Sequence, residues 1–158
     1  MCRVIFDVKN RKVATDAIRF SRIIHAPLGF VYRWCTDYRE DDNRITGSKS
    51  RRRILERTKE RVIYTYEEKG VKSVGAASIV TLHLPNRWHV DSISEDRDIA
   101  GDYRLTKLKS TSTRLDILFR TKRKSSAAPS ISKFLEHLGE IWSKYIPALE
   151  RDYIRQTK

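Results

Sequence analysis

At 158 residues with 39% hydrophobic content, the chain is long enough to bury roughly 70% of the surface its unfolded form would expose, which excludes a disordered tail or a disulfide-stapled miniprotein. Its two cysteines, Cys2 and Cys35, make neither a disulfide framework nor a metal-ligand spacing, as suits a reducing cytosol. The formal net charge of +13 attracts anions, nucleic acids and acidic membranes included, without choosing among them.

Asp7 and Lys9 end the first apolar run too early for a signal peptide. No stretch approaches the roughly 18 apolar residues of a membrane span, so a cytoplasmic location is expected. Residues 2–14 read as a short hairpin turning at Lys9-Asn10-Arg11, within an N-terminal extension of residues 1–16. Residues 17–158 are expected to form one domain. It opens with a strand over 17–26, carrying Ile18, Phe20 and Ile24 on one face. Pro27 suits the first turn of a helix, and Phe30, Val31, Trp34 and Cys35 recur at helical spacing to about Asp37. A second short helix or turn is expected over Tyr38–Ile45, ended by Gly47.

Six strands then follow at short spacing: Arg51–Arg57, Arg61–Glu67, Val74–Leu84, Arg87–Ser94, Ile99–Lys109 and Thr113–Lys122. Their brief polar breaks favour hairpins and an antiparallel meander. After a charged break over 122–130, the apolar period changes to 3.6. Ile131, Phe134, Leu135, Leu138, Ile141, Trp142, Tyr145, Ile146 and Leu149 form one broad helical stripe, with a kink expected at Pro147. Such a stripe needs a large partner. The concave face of the sheet is the available one, and spaces between a curved sheet and a helix are where ligand pockets form.

Three stretches carry a family resemblance: Ile24-His25-Ala26-Pro27-Leu28-Gly29-Phe30-Val31-Tyr32 with Asp37; Val80-Thr81-Leu82-His83-Leu84-Pro85-Asn86-Arg87-Trp88; and Tyr103-Arg104-Leu105 followed by Ser112-Thr113-Arg114-Leu115. Together they resemble the START/polyketide-cyclase-like (SRPBCC) superfamily over roughly residues 17–155. The resemblance implies an α+β helix-grip fold. In it a curved seven-stranded antiparallel sheet wraps around a long C-terminal helix, with two short helices after the first strand. It also implies a hydrophobic cavity between sheet and helix. Members bind lipids, plant hormones, polyketides or other apolar molecules, and some are enzymes.

The candidate ligand-binding residues are Tyr64, Tyr66, Trp88, Tyr103, Trp142 and Tyr145, which combine apolar area with a polar handle. Val80, Leu82, Leu115, Ile117, Phe119, Leu138 and Ile141 join them from the apolar strand and helix faces. Arg22 lies between Phe20 and Ile24, so regular alternation would turn it inward, where it could clamp a carboxylate or phosphate of a ligand; a bulge that turns it out, or a buried pair with an acid, is the favoured reading. His83 and His89 fall on the two strands of one hairpin, on opposite sides of the Pro85-Asn86 turn, with Asp91 the nearest acid in sequence, and His137 flanks the helical stripe. No metal is assigned to them, and His83 is expected to face solvent. The acidic group Asp37, Glu40, Asp41 and Asp42 lacks the spacing of a calcium loop and reads as a solvated corner.

No nucleophile elbow, zinc-protease motif, P-loop or dinucleotide fingerprint is present, and Cys35 has no basic neighbour to make a thiolate. No catalytic residue and no cofactor are assigned. The main expectation is therefore binding of a small apolar or amphipathic molecule. A nucleic-acid or acidic-surface module using Arg51, Arg52, Arg53, Arg57, Lys122, Arg123 and Lys124 on an outer basic face is the alternative. A cyclase- or dehydratase-like enzyme is a third reading.

Overall fold

The computed structural model describes residues 2–8, 11–68 and 76–158, with side chains described from Asp16 onward. The elements are β1 (Cys2–Val8), β2 (Arg11–Ile24), α1 (Leu28–Thr36), α2 (Asn43–Thr46), β3 (Ser50–Arg57), β4 (Arg61–Glu68), β5 (Ala77–His83), β6 (Arg87–Ile93), β7 (Arg97–Lys109), β8 (Ser112–Arg123) and α3 (Ile131–Gln156). The strands form one sheet in the order β1-β2-β8-β7-β6-β5-β4-β3. Every neighbouring pair is antiparallel.

The seven expected strands correspond to β2–β8. The eighth is β1, the first arm of the N-terminal hairpin, paired from Cys2↔Ala17 to Val8↔Arg11. The turn at residues 9 and 10 lies outside the described residues. β2 consequently starts at Arg11 rather than at Ala17, and it ends at Ile24. The strand expected from Val74 begins at Ala77, and residues 74 and 75 lie outside the described residues.

Alternation sets which face is apolar. On β8, Leu115, Ile117 and Phe119 are buried while Arg114 and Arg120 are exposed. The register sets Ile117 between Phe20 of β2 and Tyr103 of β7. On β4, Val62 and Tyr64 face the same way, opposite Val80 and Ser78 of β5. A shift of register by one residue would turn this whole set to solvent, so the buried face fixes the pairing.

Helix α3 covers the concave face. Ser130 caps it, its side-chain oxygen accepting from the Lys133 N–H at 3.3 Å. Leu138, Trp142 and Leu149 are buried on its inner side. Each such side chain contributes roughly 1.5–3 kcal/mol through burial. Pro147 lies on the exposed side, and the helix runs on to Gln156.

Both ends of α3 are pinned. At its C-terminal end, the Trp34 indole N–H donates to Asp152 at 2.9 Å, and Phe30 packs on Tyr153 with ring centroids 5.2 Å apart. The backbone N–H of His25 donates to Glu150 at 2.7 Å. Before the N-terminal end, Arg97 donates to Thr121 Oγ1 at 2.9 Å and to the Pro129 carbonyl, and lies over the Phe134 ring. The helix thus bridges the sheet between two anchors, and space remains beneath its middle.

Candidate ligand-binding site

Under that middle section lies an inner cavity of about 180 Å³. Strands supply Tyr64 and Tyr66 from β4, Trp88 and Val90 from β6, and Tyr103 from β7. The first helix supplies Trp34 and Cys35, and α3 supplies Leu138, Ile141, Trp142 and Tyr145. The rings brace one another. Trp88 stacks on Tyr103 at 4.8 Å, Tyr38 stacks on Tyr64 at 5.5 Å, and Trp142 meets Tyr145 edge-on at 5.7 Å.

Tyr38 reaches this cluster through its backbone. It sits just after α1 with φ of 46°, in the left-handed region that a bulky residue rarely adopts. Two arginines of β3 hold the turn: Arg57 donates to the Tyr38 carbonyl at 3.1 Å and Arg52 to the Arg39 carbonyl at 3.2 Å.

Arg52 is the polar centre of the site. Its side chain is 11% exposed and its guanidinium lies 5.1, 5.3 and 5.9 Å from the ring centres of Tyr38, Tyr64 and Tyr66. It forms a close ion pair with Asp42, which Arg39 also contacts at 3.4 Å. Burial works against the Arg52 charge, but the surrounding tyrosine oxygens and Asp42 outweigh it and keep the guanidinium charged. Among the described residues, neither Nε of Arg52 nor the indole N–H of Trp88 has a hydrogen-bond partner.

A second, more polar chamber of about 370 Å³ adjoins the first. The two share Asp42, Arg52, Tyr66, Ile141 and Tyr145, which form the neck between them. The outer chamber is walled by Asn43, Thr46, Ser48 and Ser50 on one side and by His137, Glu140 and Lys144 of α3 on the other. Lys144 donates to the Thr46 carbonyl at 2.8 Å, tying the two walls together.

Burial pushes the hydroxyls of Tyr38, Tyr64, Tyr103 and Tyr145 above the usual phenol range, so they remain neutral donors at physiological pH. Burial, with Asp42 nearby, pushes the Cys35 thiol up to about 12, which keeps it protonated and unreactive.

Eight of the sequence-derived candidates line the inner cavity: Tyr64, Tyr66, Trp88, Tyr103, Leu138, Ile141, Trp142 and Tyr145. Val80, Leu115, Ile117 and Phe119 are buried in the core outside the cavity lining, and Leu82 packs partly buried against that core. Arg22 is not among the residues that line the cavity. It is exposed, folded back over Phe20 at 4.1 Å and donating to the Ser21 carbonyl at 2.7 Å. A long side chain at this position can cover an apolar ring while its charge stays in water.

The expected outer basic set divides. Arg52 leaves it for the cavity. Arg51, Arg53 and Arg57 are exposed, with Arg53 paired to Glu67 at 3.2 Å. Lys122 is half-buried, Lys124 pairs with Asp98 at 2.9 Å, and Arg123 donates to the carbonyls of Ser125 and Ser126. The acidic corner is also more engaged than expected: Asp42 turns inward to Arg52, and Glu40 accepts from the Ile54 N–H at 3.0 Å. His83 is exposed, His137 reaches the outer chamber, and His89 lies between Asp102 and Asp91 at 2.7 and 3.0 Å on the outer face of the sheet.

Arg52, Asp42, Tyr38, Trp34, Cys35 and Val90 line the cavity without having been singled out as ligand contacts. For Arg52 a signal existed: it shares strand phase with Ile54, whereas Arg51 and Arg53 do not.

No family model matches the chain, and no curated protein matches it. Solved structures do. The Zhui aromatase/cyclase from Streptomyces sp. R1128 superposes with a TM-score of 0.65 at 12% identity, covering 91% of this chain and 96% of that one. The START superfamily protein from Mycobacterium smegmatis gives 0.60 at 14% identity, covering 84% and 98%. The chain shares the helix-grip fold of these structures. Ara h 8.0201 is similar at a TM-score of 0.65 and 11% identity, covering 89% of this chain and 99% of that one. At such identities the likeness establishes the helix-grip fold alone, and function rests on the site. Among the described residues, no helix is long and apolar enough to cross a membrane.

Proposed function

We propose that the chain binds a small, largely apolar molecule with aromatic character in the inner cavity. The observation that carries this reading is a cavity of about 180 Å³ walled, among the described residues, by eight aromatic side chains, into which one buried arginine is built. An apolar cavity of about 150 Å³ holds a benzene ring, so this one takes one ring, with a second reaching into the neck it shares with the outer chamber. Apolar burial supplies the affinity. The polar groups of the lining, Arg52 and the tyrosine hydroxyls, supply orientation by hydrogen bonding to the ligand. Fold similarity to an aromatase/cyclase and to a START superfamily protein supports an apolar ligand. We place this binding in the cytoplasm and assign it to residues 17–158, with residues 1–16 as an extension of the same sheet.

Titration calorimetry with a naphthalene-sized ligand at low and moderate salt tests the reading. One-to-one binding that changes little with salt is expected, because apolar burial is not screened. Affinity for such a ligand that collapses as salt rises, alongside salt-sensitive binding of nucleic acid, would instead favour the basic face.

A further inference from the structure

Arg52 and Asp42 are, among the described residues, the charged side chains that line the inner cavity, one of each sign. They are paired with each other, at 11% and 16% exposure. The cavity is therefore close to electrically neutral despite a chain charge of +13. Its positive charge is already answered from within the protein. What the lining offers a ligand besides is the hydroxyls of its tyrosines, Tyr66 and Tyr145 among them.

From this we infer that Asp42 is a specificity-determining residue, tuning the cavity toward ligands whose polar end is a neutral oxygen acceptor and against carboxylates. The inference rests on the apolar-pocket reading above and refines its ligand class. A ketone, quinone or ether oxygen brings no charge and leaves the ion pair intact. A carboxylate adds an uncompensated negative charge beside Asp42 in a partly dry site, or must displace Asp42 from Arg52. Displacement is resisted because Arg39 holds the other oxygen of Asp42 at 3.4 Å. The remaining charges near the path, His137, Glu140 and Lys144, belong to the outer chamber, and Lys144 is tied to the Thr46 carbonyl.

The test uses two probes of equal shape, 2-acetonaphthone and 2-naphthoate, which differ in a methyl against a charged oxygen. All three tryptophans of the chain, Trp34, Trp88 and Trp142, line the inner cavity, so fluorescence quenching reports occupancy. At pH 7.5 the acid is fully ionised. The wild-type protein should bind the ketone at least about tenfold more tightly than the carboxylate, a conservative figure for one like-charge contact in a partly exposed site. Asp42→Asn keeps the shape and an acceptor for Arg52 but frees the arginine charge; it should close or reverse the preference. Equal or tighter wild-type binding of naphthoate overturns the inference, whether or not the variant folds. A preference unchanged in Asp42→Asn overturns it as well. If neither probe quenches the wild-type protein, the apolar-pocket reading itself fails, and the inference falls with it.

Discussion

Arg52 and Asp42 hold each other inside a largely aromatic wall. Removing one partner of such a pair costs more than removing both, because a lone buried charge has nothing to answer it. Arg52→Met should therefore destabilise the protein by about 2 kcal/mol, below the usual range for a buried pair because Asp42 retains some water and Arg39. The double variant Arg52→Met/Asp42→Asn should recover much of that loss, as read from urea unfolding midpoints. Equal loss in the single and double variants would show that the pair is not the stabilising unit. His89 makes a second test at this scale. Burial lowers its pKa, but hydrogen bonds to Asp102 and Asp91 more than compensate, so it lies above 6.5, while His89 and Arg120 hold Asp102 below 3.8. The stabilisation from His89 is then fully present below pH 6.5 and fades as pH rises through the higher folded-state value. That from Asp102 is present above pH 3.8 and fades as pH falls through its lowered value. The stability advantage of wild type over His89→Gln should thus be larger at pH 5.5 than at pH 9; an advantage that grows with pH would refute the assignment. Single residues are also where the sequence was least legible. Arg52 is the middle of three consecutive arginines, and only its phase with Ile54 marks it as inward, a signal blurred by Leu55 on the opposite face. Arg22 keeps the inward phase and stacks on the buried Phe20 of the same face, yet it is exposed and away from the cavity lining, because a long cationic side chain can cover an apolar ring while its charge stays in water.

At the scale of elements, Gly101 shows how closely the strands and rings are fitted. A Cβ there would come within 2.8 Å of the Tyr103 ring and 3.2 Å of Phe119. Tyr103 cannot yield freely, since it is stacked on Trp88 at 4.8 Å. Gly101→Ala should cost about 1–3 kcal/mol through overpacking, and it should weaken probe binding by displacing the Tyr103 wall. Unchanged thermal stability and unchanged affinity would contradict this packing. Arg97 performs a linking role by joining β7 and β8 to the segment before α3. Arg97→Met should raise amide exchange at the start of α3 more than at its end, where Trp34 and Asp152 still hold it. Uniform exchange along the helix would show that the two anchors are not independent. Elements were well legible because strand alternation, short polar breaks and the 3.6-residue stripe of α3 each leave a local record. The edge strand β1 was less so, since it depends on pairing with β2 rather than on its own pattern. Tyr38 illustrates the same limit: a positive φ at a bulky residue is imposed by contacts from β3 that local sequence does not record.

For the whole molecule, a net charge of +13 coexists with a cavity lined, among the described residues, by one cation and one anion. Much of the surface charge is locally matched, as in Arg120 with Asp102, Arg114 with Asp116 and Lys124 with Asp98. Exposed pairs of this kind add little stability, and the charge is separable from the chemistry of the cavity. The cavity itself was legible in outline, through the aromatic residues on strand and helix faces. Its electrostatics were not, because they depend on which arginine of a run turns inward and which aspartate of a cluster meets it. The most direct test of the central claim is to fill the neck. Ile141 lines both chambers and is partly exposed, so Ile141→Trp should block access with little loss of folding. Binding of 2-acetonaphthone, measured by calorimetry on the wild type and this variant, should be one-to-one in the first and weaker by at least about tenfold in the second, the loss of roughly 1.4 kcal/mol. Full-strength binding to a folded Ile141→Trp protein would place the ligand elsewhere and contradict the claim.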